Sequence, residues 1–538
     1  MMTQQSLNVG EVFALAMRAY DAGNAVEARR LARLIVDAKP DFGGAHYLLG
    51  LIALDQDQAK KAAEHLSRAV AADPHQIIPR LALGRALEHQ DNFNSAILQY
   101  RHIVAAEPGH AEANARLGGL LGRIGRIDEA IGHCRRAVEA NADHAEALCT
   151  LGGLLHQQGR DQEAAGLLEH ALALRPNWAV ALHNYGLVLR ALGRTERAVA
   201  ILTGAADLRR DHGGIRANLA GALREMRRLD DARVQAERAT KLAPREAEGW
   251  MELGLVRQAL GAPEGAAAAF ERALVVAPKS VEARWCLAEA CRLMGEDARA
   301  AEHYRHCLKL DPEDRHGAAL GLAQLGGETP ERAPQSYVRQ LFDDYAERFD
   351  TALVEKLAYR APAVLAEVLG RTLPRERSLD VMDAGCGTGL MAPILRSLAA
   401  RLDGLDLSPA MIEKARERNL YDELIVGDLV AVLTERGGRY DLLVAADVLV
   451  YLGDLAPVLR AAANALRPRG VFAFTVERDD EIGSYALGPK QRYAHAPDYV
   501  RAEAEAAGFT VAVQENVSTR QDGGHDVPGL MVVLRQGD

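Results

Sequence analysis

Two rhythms of apolar and polar positions divide this chain. Up to about residue 314 they follow a strict 34-residue frame. Alanine recurs at Ala28, Ala62, Ala96, Ala130, Ala164, Ala198, Ala232, Ala266 and Ala300. Twelve residues before each stands a small residue: Ala16, Gly50, Gly84, Gly118, Gly152, Gly186, Ala220, Gly254 and Ala288. Twelve residues after stands Pro40, Pro74, Pro108, Pro176, Pro244, Pro278 or Pro312, with Ala142 and Arg210 as the exceptions. This predicts nine helical hairpins, whose small residues allow close approach and whose prolines stop the second helix. Beyond residue 335 short apolar runs alternate with helical patterns. Runs 379–383, 402–407, 424–428, 440–447 and 470–477 read as five strands. Segments 390–402, 455–466 and 493–507 read as helices, and 509–517 and 529–535 as two last strands joined by an exposed loop over 518–528.

The first frame resembles the tetratricopeptide repeat. One hairpin cannot bury its apolar face alone, so the resemblance implies stacked units over 9–314 with a groove lined by the first helix of each. Residues 315–325 read as a capping helix and 326–330 as a short hinge, making 315–334 cap and linker. Asn184 and Asn218 share one groove position, and His156, Arg190, Arg224 and Arg292 share another. Spaced amides can clamp a peptide backbone and arginines can hold carboxylates. The plainer alternative is a solvated helix face.

The chemistry concentrates in Asp383-Ala384-Gly385-Cys386-Gly387-Thr388-Gly389, where a strand turns into a helix. Glycines there let the backbone turn and approach a ligand. A dinucleotide site wants G-x-G-x-x-G with pyrophosphate on the helix N-terminus. The spacing here is G-x-G-x-G with an acid two residues upstream. That resembles the first motif of class I S-adenosylmethionine-dependent methyltransferases. Asp406, Asp428 and Asp447 end the next strands, so four acids fall on one edge of a parallel sheet, where open α/β sheets bind ligands. Asp406 can accept two ribose hydroxyls. The resemblance implies that Asp383, Ala384, Gly385, Gly387 and Gly389 hold the amino acid end of the cofactor. It likewise places Leu407 and Met411 near Asp406, and Asp428 with Leu429 near the adenine amino group. Residues 335–538 then form a Rossmann-like domain with a seven-stranded, mainly parallel sheet.

Residues 337–349 form an amphipathic aromatic segment. With 350–360 it is similar to the lead-in of predicted bacterial methyltransferases that carry tetratricopeptide repeats. In related enzymes such a helix lies over the cofactor, which implies that Tyr345 or Phe349 excludes water and touches the sulfonium; core packing is the other reading. Neither N-P-P-Y nor Pro-Cys follows the fourth strand, which weighs against adenine, glutamine amide and cytosine carbon acceptors. Candidate polar groups near the acceptor are Tyr451, Glu477 and His495. His495 is a potential general base or a plain helix N-terminal residue. Glu477 opens an acidic loop suited to a cationic acceptor, or simply solvated.

Charge narrows the partners. Residues 1–334 hold 41 basic and 43 acidic side chains, and 335–538 hold 23 and 31. An acidic catalytic half argues against a nucleic acid substrate. Six cysteines without a C-x-x-C pair argue against zinc and a disulfide framework and fit the cytoplasm. No signal peptide or membrane-spanning run is read. The expectation is a methyltransferase acting on oxygen or nitrogen, its repeats recruiting a protein or peptide partner. Alternatives are a small-molecule methyltransferase with tethering or oligomerising repeats, and an inactive scaffold. The oligomeric state stays open.

Overall fold

The computed structural model describes residues 8–346, 349–350, 359–373, 378–522 and 524–537. They form two compact units, one up to Ala222 and one from Leu223 onward. The division falls inside the repeat array, in the helix Gly213–Glu225. Residues 347–348 and 351–358 of the aromatic lead-in lie outside the described residues.

The first unit is a run of antiparallel helix pairs, from Val9–Asp21 with Ala25–Ala38 to Ala179–Ala191 with Thr195–Leu208. Ala28, Ala62, Ala96, Ala130, Ala164 and Ala198 are wholly buried. The glycine of a frame packs first against the residue sixteen later, as at Gly50, Gly84, Gly118, Gly152, Gly186 and Gly254. A Cβ on Gly84 would stand 2.4 Å from Tyr100 Cε1, and one on Gly186 2.5 Å from Leu202 Cγ. A mid-helix glycine costs about 1 kcal/mol against alanine, and here it is offset by the packing that its missing side chain permits. Lys39 is extended ahead of Pro40 (φ −142°, ψ 87°), as a residue before proline should be. Asn141, which no proline follows, takes the same shape (φ −146°, ψ 99°). The stop is therefore set by the packing of the next helix as well as by proline.

The second unit continues with the helices Leu229–Leu242, Ala247–Ala259, Pro263–Val276, Val281–Leu293 and Asp297–Leu310, then the short Ala318–Gln324 and Gln335–Tyr345. The α/β part has strands β1 (Leu379–Ala384), β2 (Ala399–Asp406), β3 (Glu423–Val426), β4 (Tyr440–Ala445), β5 (Leu466–Arg478), β6 (Tyr485–Leu487), β7 (Tyr493–His495), β8 (Phe509–Val517), β9 (Gln521–Asp522), β10 (His525–Asp526) and β11 (Gly529–Gln536). The main sheet runs β3-β2-β1-β4-β5-β11-β8, parallel through β5 and antiparallel for β11 and β8. Leu433, Leu459, Ala462 and Val500 cover one face, and Leu365, Leu369 and Leu395 the other.

Two expectations change. The helix over 390–402 shrinks to Ala392–Arg396, because Ala399 already pairs with Leu379 as β2 begins. The helix over 493–507 loses its first turn. Pro497 takes the first helical position, and Tyr493–His495 becomes a strand that pairs with β6 and with the end of β5, adding β6 and β7 to the seven main strands. The linker that follows the glycines forms a strap against the sheet. Glu331 carbonyl accepts from Gly453 N–H and Asp454 N–H, both at 2.8 Å, and Ala333 N–H donates to Tyr451 carbonyl at 2.9 Å. Tyr493 hydroxyl donates to Pro330 carbonyl at 2.7 Å. Around these bonds Leu320 of the cap, Ala333, Val450, Tyr451 and Tyr493 form one apolar cluster.

Candidate active site

A cavity opens at the carboxyl ends of β1 to β4, the edge where the chain turns from strand to helix. After β1, Gly385 N–H and Cys386 N–H donate to Leu405 carbonyl at 2.7 and 2.9 Å. Gly385 is required twice over: its φ is +81°, and a Cβ there would stand 2.3 Å from Val448 Cγ2. Arg418 Nε donates to Thr388 carbonyl at 2.6 Å and fixes the far side of the turn.

Asp406 sits beneath this turn and lines the cavity. Its Oδ2 accepts Gly387 N–H at 2.8 Å and its Oδ1 accepts Ser408 N–H at 2.9 Å. Leu407 N–H adds a third backbone contact, and the roughly four acceptor positions of a carboxylate leave room for a further donor. Burial pushes its carboxyl up to about 6, against the pull of those N–H groups. Asp383 is buried behind the turn. Tyr421 hydroxyl donates to its Oδ2 at 2.6 Å. Burial pushes Asp383 up to about 7, with the Tyr421 bond lowering it and the Asp406 charge adding to the rise.

Asp428 caps the helix Leu429–Glu435, its Oδ1 accepting Ala431 N–H at 3.1 Å. Its Oδ2 accepts from Gln335 Nε2 at 2.7 Å and Arg332 Nη1 at 3.1 Å. Asp447 holds a left-handed φ of +63°, uncommon for a residue with a side chain. Its N–H donates to Thr475 Oγ1 at 2.9 Å, and its carboxylate takes Thr519 Oγ1 at 3.2 Å and Arg520. Arg520 also pairs with Glu477 and is only 4% exposed.

Of the residues read from the sequence, Gly385, Gly387, Asp406, Leu407, Asp428, Leu429, Asp447 and Tyr451 line the cavity, and so does Phe349. Asp383, Ala384, Gly389 and Met411 stand outside its lining. Met411 is wholly buried, with its N–H on the Ser408 cap. Tyr345 packs edge-on against Phe349 at 5.8 Å, so the aromatic cover is Phe349 with Phe342, 6.0 Å apart. Glu477 is neutralised by Arg520 and is not a free acid for a cationic acceptor. His495 is not a candidate base. It lies buried in β7, its Nε2 donates to the carbonyls of Leu452 and Gly453 at 2.9 and 3.1 Å, and burial pushes its imidazole down to about 4.

Several lining residues were not singled out from the sequence. Arg332, Gln335, Val338 and Phe342 come from the strap and the helix after it, Tyr359 from the lead-in, and Arg492 from the β6–β7 hairpin. Arg492 lies 5.9 Å from the Tyr451 ring centroid and 3.9 Å from Glu477 Oε1. The amphipathic pattern of 337–349 was the one available signal, and it pointed to the right helix. Nothing local marks Arg492.

In the first unit Asn184 and His156 line a second hollow with Glu112, Arg116 and Trp178. Asn184 Nδ2 is 3.8 Å from Cys149 Sγ. The Asn218 amide meets His183 Nε2 at 2.8 Å, and His156 meets Asp161 at 2.5 Å. Arg190 is half-buried on the helix Ala179–Ala191. In the second unit Arg224 pairs with Glu252 at 3.1 Å and Arg292 with Glu289 at 2.8 Å.

Comparison with known proteins agrees with this architecture. Residues 382–472 match the family model of a methyltransferase domain. Residues 13–77, 110–177, 189–253 and 251–315 match tetratricopeptide-repeat models. The chain is therefore a tetratricopeptide-repeat array followed by a methyltransferase domain, a class whose methyl donor is S-adenosylmethionine. It is 31% identical over 158 residues to a ubiquinone biosynthesis O-methyltransferase of Methylobacterium nodulans, covering 26% of this chain and 63% of that one. It is 32% identical over 110 residues to a malonyl-[acyl-carrier protein] O-methyltransferase of Pseudescherichia vulneris, covering 20% and 43%. The chain thus spans less than two thirds of the length of these relatives. Among solved structures, a Burkholderia thailandensis 1,6-didemethyltoxoflavin-N1-methyltransferase aligns over 39% of this chain and 94% of that one, at 23% identity and a TM-score of 0.32. Among the described residues no helix is long and apolar enough to cross a membrane.

The residues present fit S-adenosylmethionine. Asp406 keeps acceptor capacity at the strand end, Gly385 and Gly387 line the cavity beside it, and Asp428 stands beside apolar Leu429 and Val430.

Proposed function

We propose that this protein transfers a methyl group from S-adenosylmethionine to an oxygen or nitrogen of an acceptor, and that its repeats bring that acceptor or a protein partner to it. The observation that carries the reading is Asp406, held by Gly387 N–H and Ser408 N–H with its carboxylate in the cavity. When bound, the cofactor supplies a methyl group already activated by its sulfonium, so the protein has mainly to align and to exclude water. Asp406 accepts the ribose hydroxyls, the backbone at Gly385 and Gly387 receives the amino acid end, and Asp428 faces the adenine edge. Phe342 and Phe349 keep water out. The acceptor enters beside Asp447, Tyr451 and Arg492. Burial raises the Tyr451 hydroxyl above its ordinary range, so at neutral pH Tyr451 donates a hydrogen bond and does not act as base. The names of the two curated relatives favour oxygen over nitrogen.

Calorimetric titration of S-adenosylmethionine and S-adenosylhomocysteine into the full chain and into Asp406→Ala tests this. Binding that the substitution abolishes is expected. Absence of binding to the unaltered chain would leave a scaffold with a methyltransferase fold.

For the repeats, the hollow lined by Asn184, His156 and Trp178 supports a peptide site. Joint Asn184→Ala and Asn218→Ala should weaken a bound peptide, and unchanged binding would leave the repeats to tethering. The small-molecule alternative draws support from the relatives named for ubiquinone biosynthesis. Six buried, free cysteines suit the cytoplasm.

A further inference from the structure

The site sequence motifs outline ends at β4, yet one of its carboxylates is held from outside the methyltransferase-matched segment. Asp428 Oδ2 takes both Gln335 Nε2 and Arg332 Nη1, at 2.7 and 3.1 Å. Both donors lie on the strap and the first turn of the helix behind it, and both line the cavity with Asp428. Because a carboxylate only accepts, the group of Gln335 turned to Asp428 must be its NH₂. What Gln335 then offers a ligand is its Oε1. Asp428 Oδ1 spends one acceptor position on Ala431 N–H and keeps another.

Resting on the cofactor reading above, we propose that Gln335 is a specificity-determining residue of the adenine end, oriented by Asp428. The pair presents two acceptors beside the apolar Leu429 and Val430. An exocyclic amino group brings two N–H donors and matches them. A ring carbonyl at the same place, as in hypoxanthine, sets acceptor against acceptor and leaves unpaired the groups that the bound ligand covers. Arg332 neutralises the Asp428 charge, so the carboxylate stands in place without a ligand. The strap also bonds to the β4–β5 connection through Glu331 and Ala333, which fixes where Gln335 stands.

The test compares binding of S-adenosylhomocysteine and its deaminated analogue, S-inosylhomocysteine, by calorimetry on the full chain. The unaltered protein should prefer the amino compound by tenfold or more, roughly what one lost hydrogen bond with an unpaired buried partner produces. Gln335→Met, close in length, should cut that preference to about twofold and leave the affinity for S-inosylhomocysteine within about twofold. Gln335→Ala serves as second variant, and thermal unfolding of each confirms the fold. Equal loss for both ligands would make Gln335 merely structural and overturn the proposal, as would a preference that survives both variants. If the unaltered chain binds neither compound, the cofactor reading itself falls, an outcome distinct from these.

Discussion

Tyr421 hydroxyl donates to Asp383 Oδ2 across 2.6 Å, behind the glycine turn and away from the cavity lining. The acid that opens the motif therefore acts on the loop through a half-buried tyrosine, with its own charge largely withheld from water.

This placement has a pH consequence for stability. Burial first, then the neighbouring Asp406 charge, raises Asp383 from 3.8 to about 7 in the folded protein. A carboxyl raised in this way contributes its stability fully below pH 4 and loses it as pH climbs through 7. Asp383→Asn removes the buried charge. The variant should be more stable than the unaltered protein by roughly 1–3 kcal/mol above pH 7, with the gain shrinking as pH falls from 7 to 4. Thermal unfolding across pH 4–8 reads it directly, and a gain that does not vary with pH would refute the assignment.

Asp406 predicts a different profile, in binding. Its folded carboxyl titrates near 6, and only the ionised form keeps all its acceptor positions. Affinity for S-adenosylhomocysteine should hold above pH 7 and weaken as pH falls through about 6, by up to tenfold per unit. Asp406→Asn should bind weakly at every pH, with a flat profile.

Arg520 pairs with Asp447 and Glu477 while almost fully buried. Arg520→Met leaves Asp447 without its cation and Glu477 with only the more distant Arg492, at a cost of about 3–5 kcal/mol. Adding Glu477→Gln should restore part of it, since the two sites share one network. Urea unfolding of the single and double variants measures the coupling; strictly additive effects would contradict the clamp.

In the repeats, Gly84 faces the Tyr100 ring, whose nearest atom would be 2.4 Å from an added Cβ. A ring so placed cannot slide aside. Gly84→Val should destabilise the first unit by about 1–3 kcal/mol, whereas the same change at Gly132, where nothing lies within 4 Å of a Cβ, should cost only its helix propensity, under 1 kcal/mol either way.

What could be read in the sequence was what repeats or obeys a short local rule. The 34-residue frame located the helix pairs, because each glycine of the frame faces the residue sixteen later on the paired helix. The glycine turn and strand-end acids located the cavity, because strand, turn and acid are adjacent in the chain. Gln335 and Arg520 escaped because their roles come from pairings across 43 to 93 residues, Arg492 because its partners Tyr451 and Glu477 lie on other elements, and nothing in their own neighbourhoods marks them. Pro497 was a legible helix start that the reading of a helix over 493–507 passed over. Gly326 and Gly327 turn the chain, and the residues after them find partners on the sheet that nothing local announces.

The apolar cluster of Leu320, Ala333, Val450, Tyr451 and Tyr493 has a practical sequel for anyone cutting the gene. A catalytic fragment begun at residue 335 would shed Leu320 and Ala333, leaving the faces of Val450 and Tyr493 wet and the backbone amides of Gly453 and Asp454 without Glu331. Such a surface invites self-association. A soluble, exchangeable module would have to start ahead of Ala318, so any recombination that trades one repeat array for another must leave the cap and strap behind with the sheet.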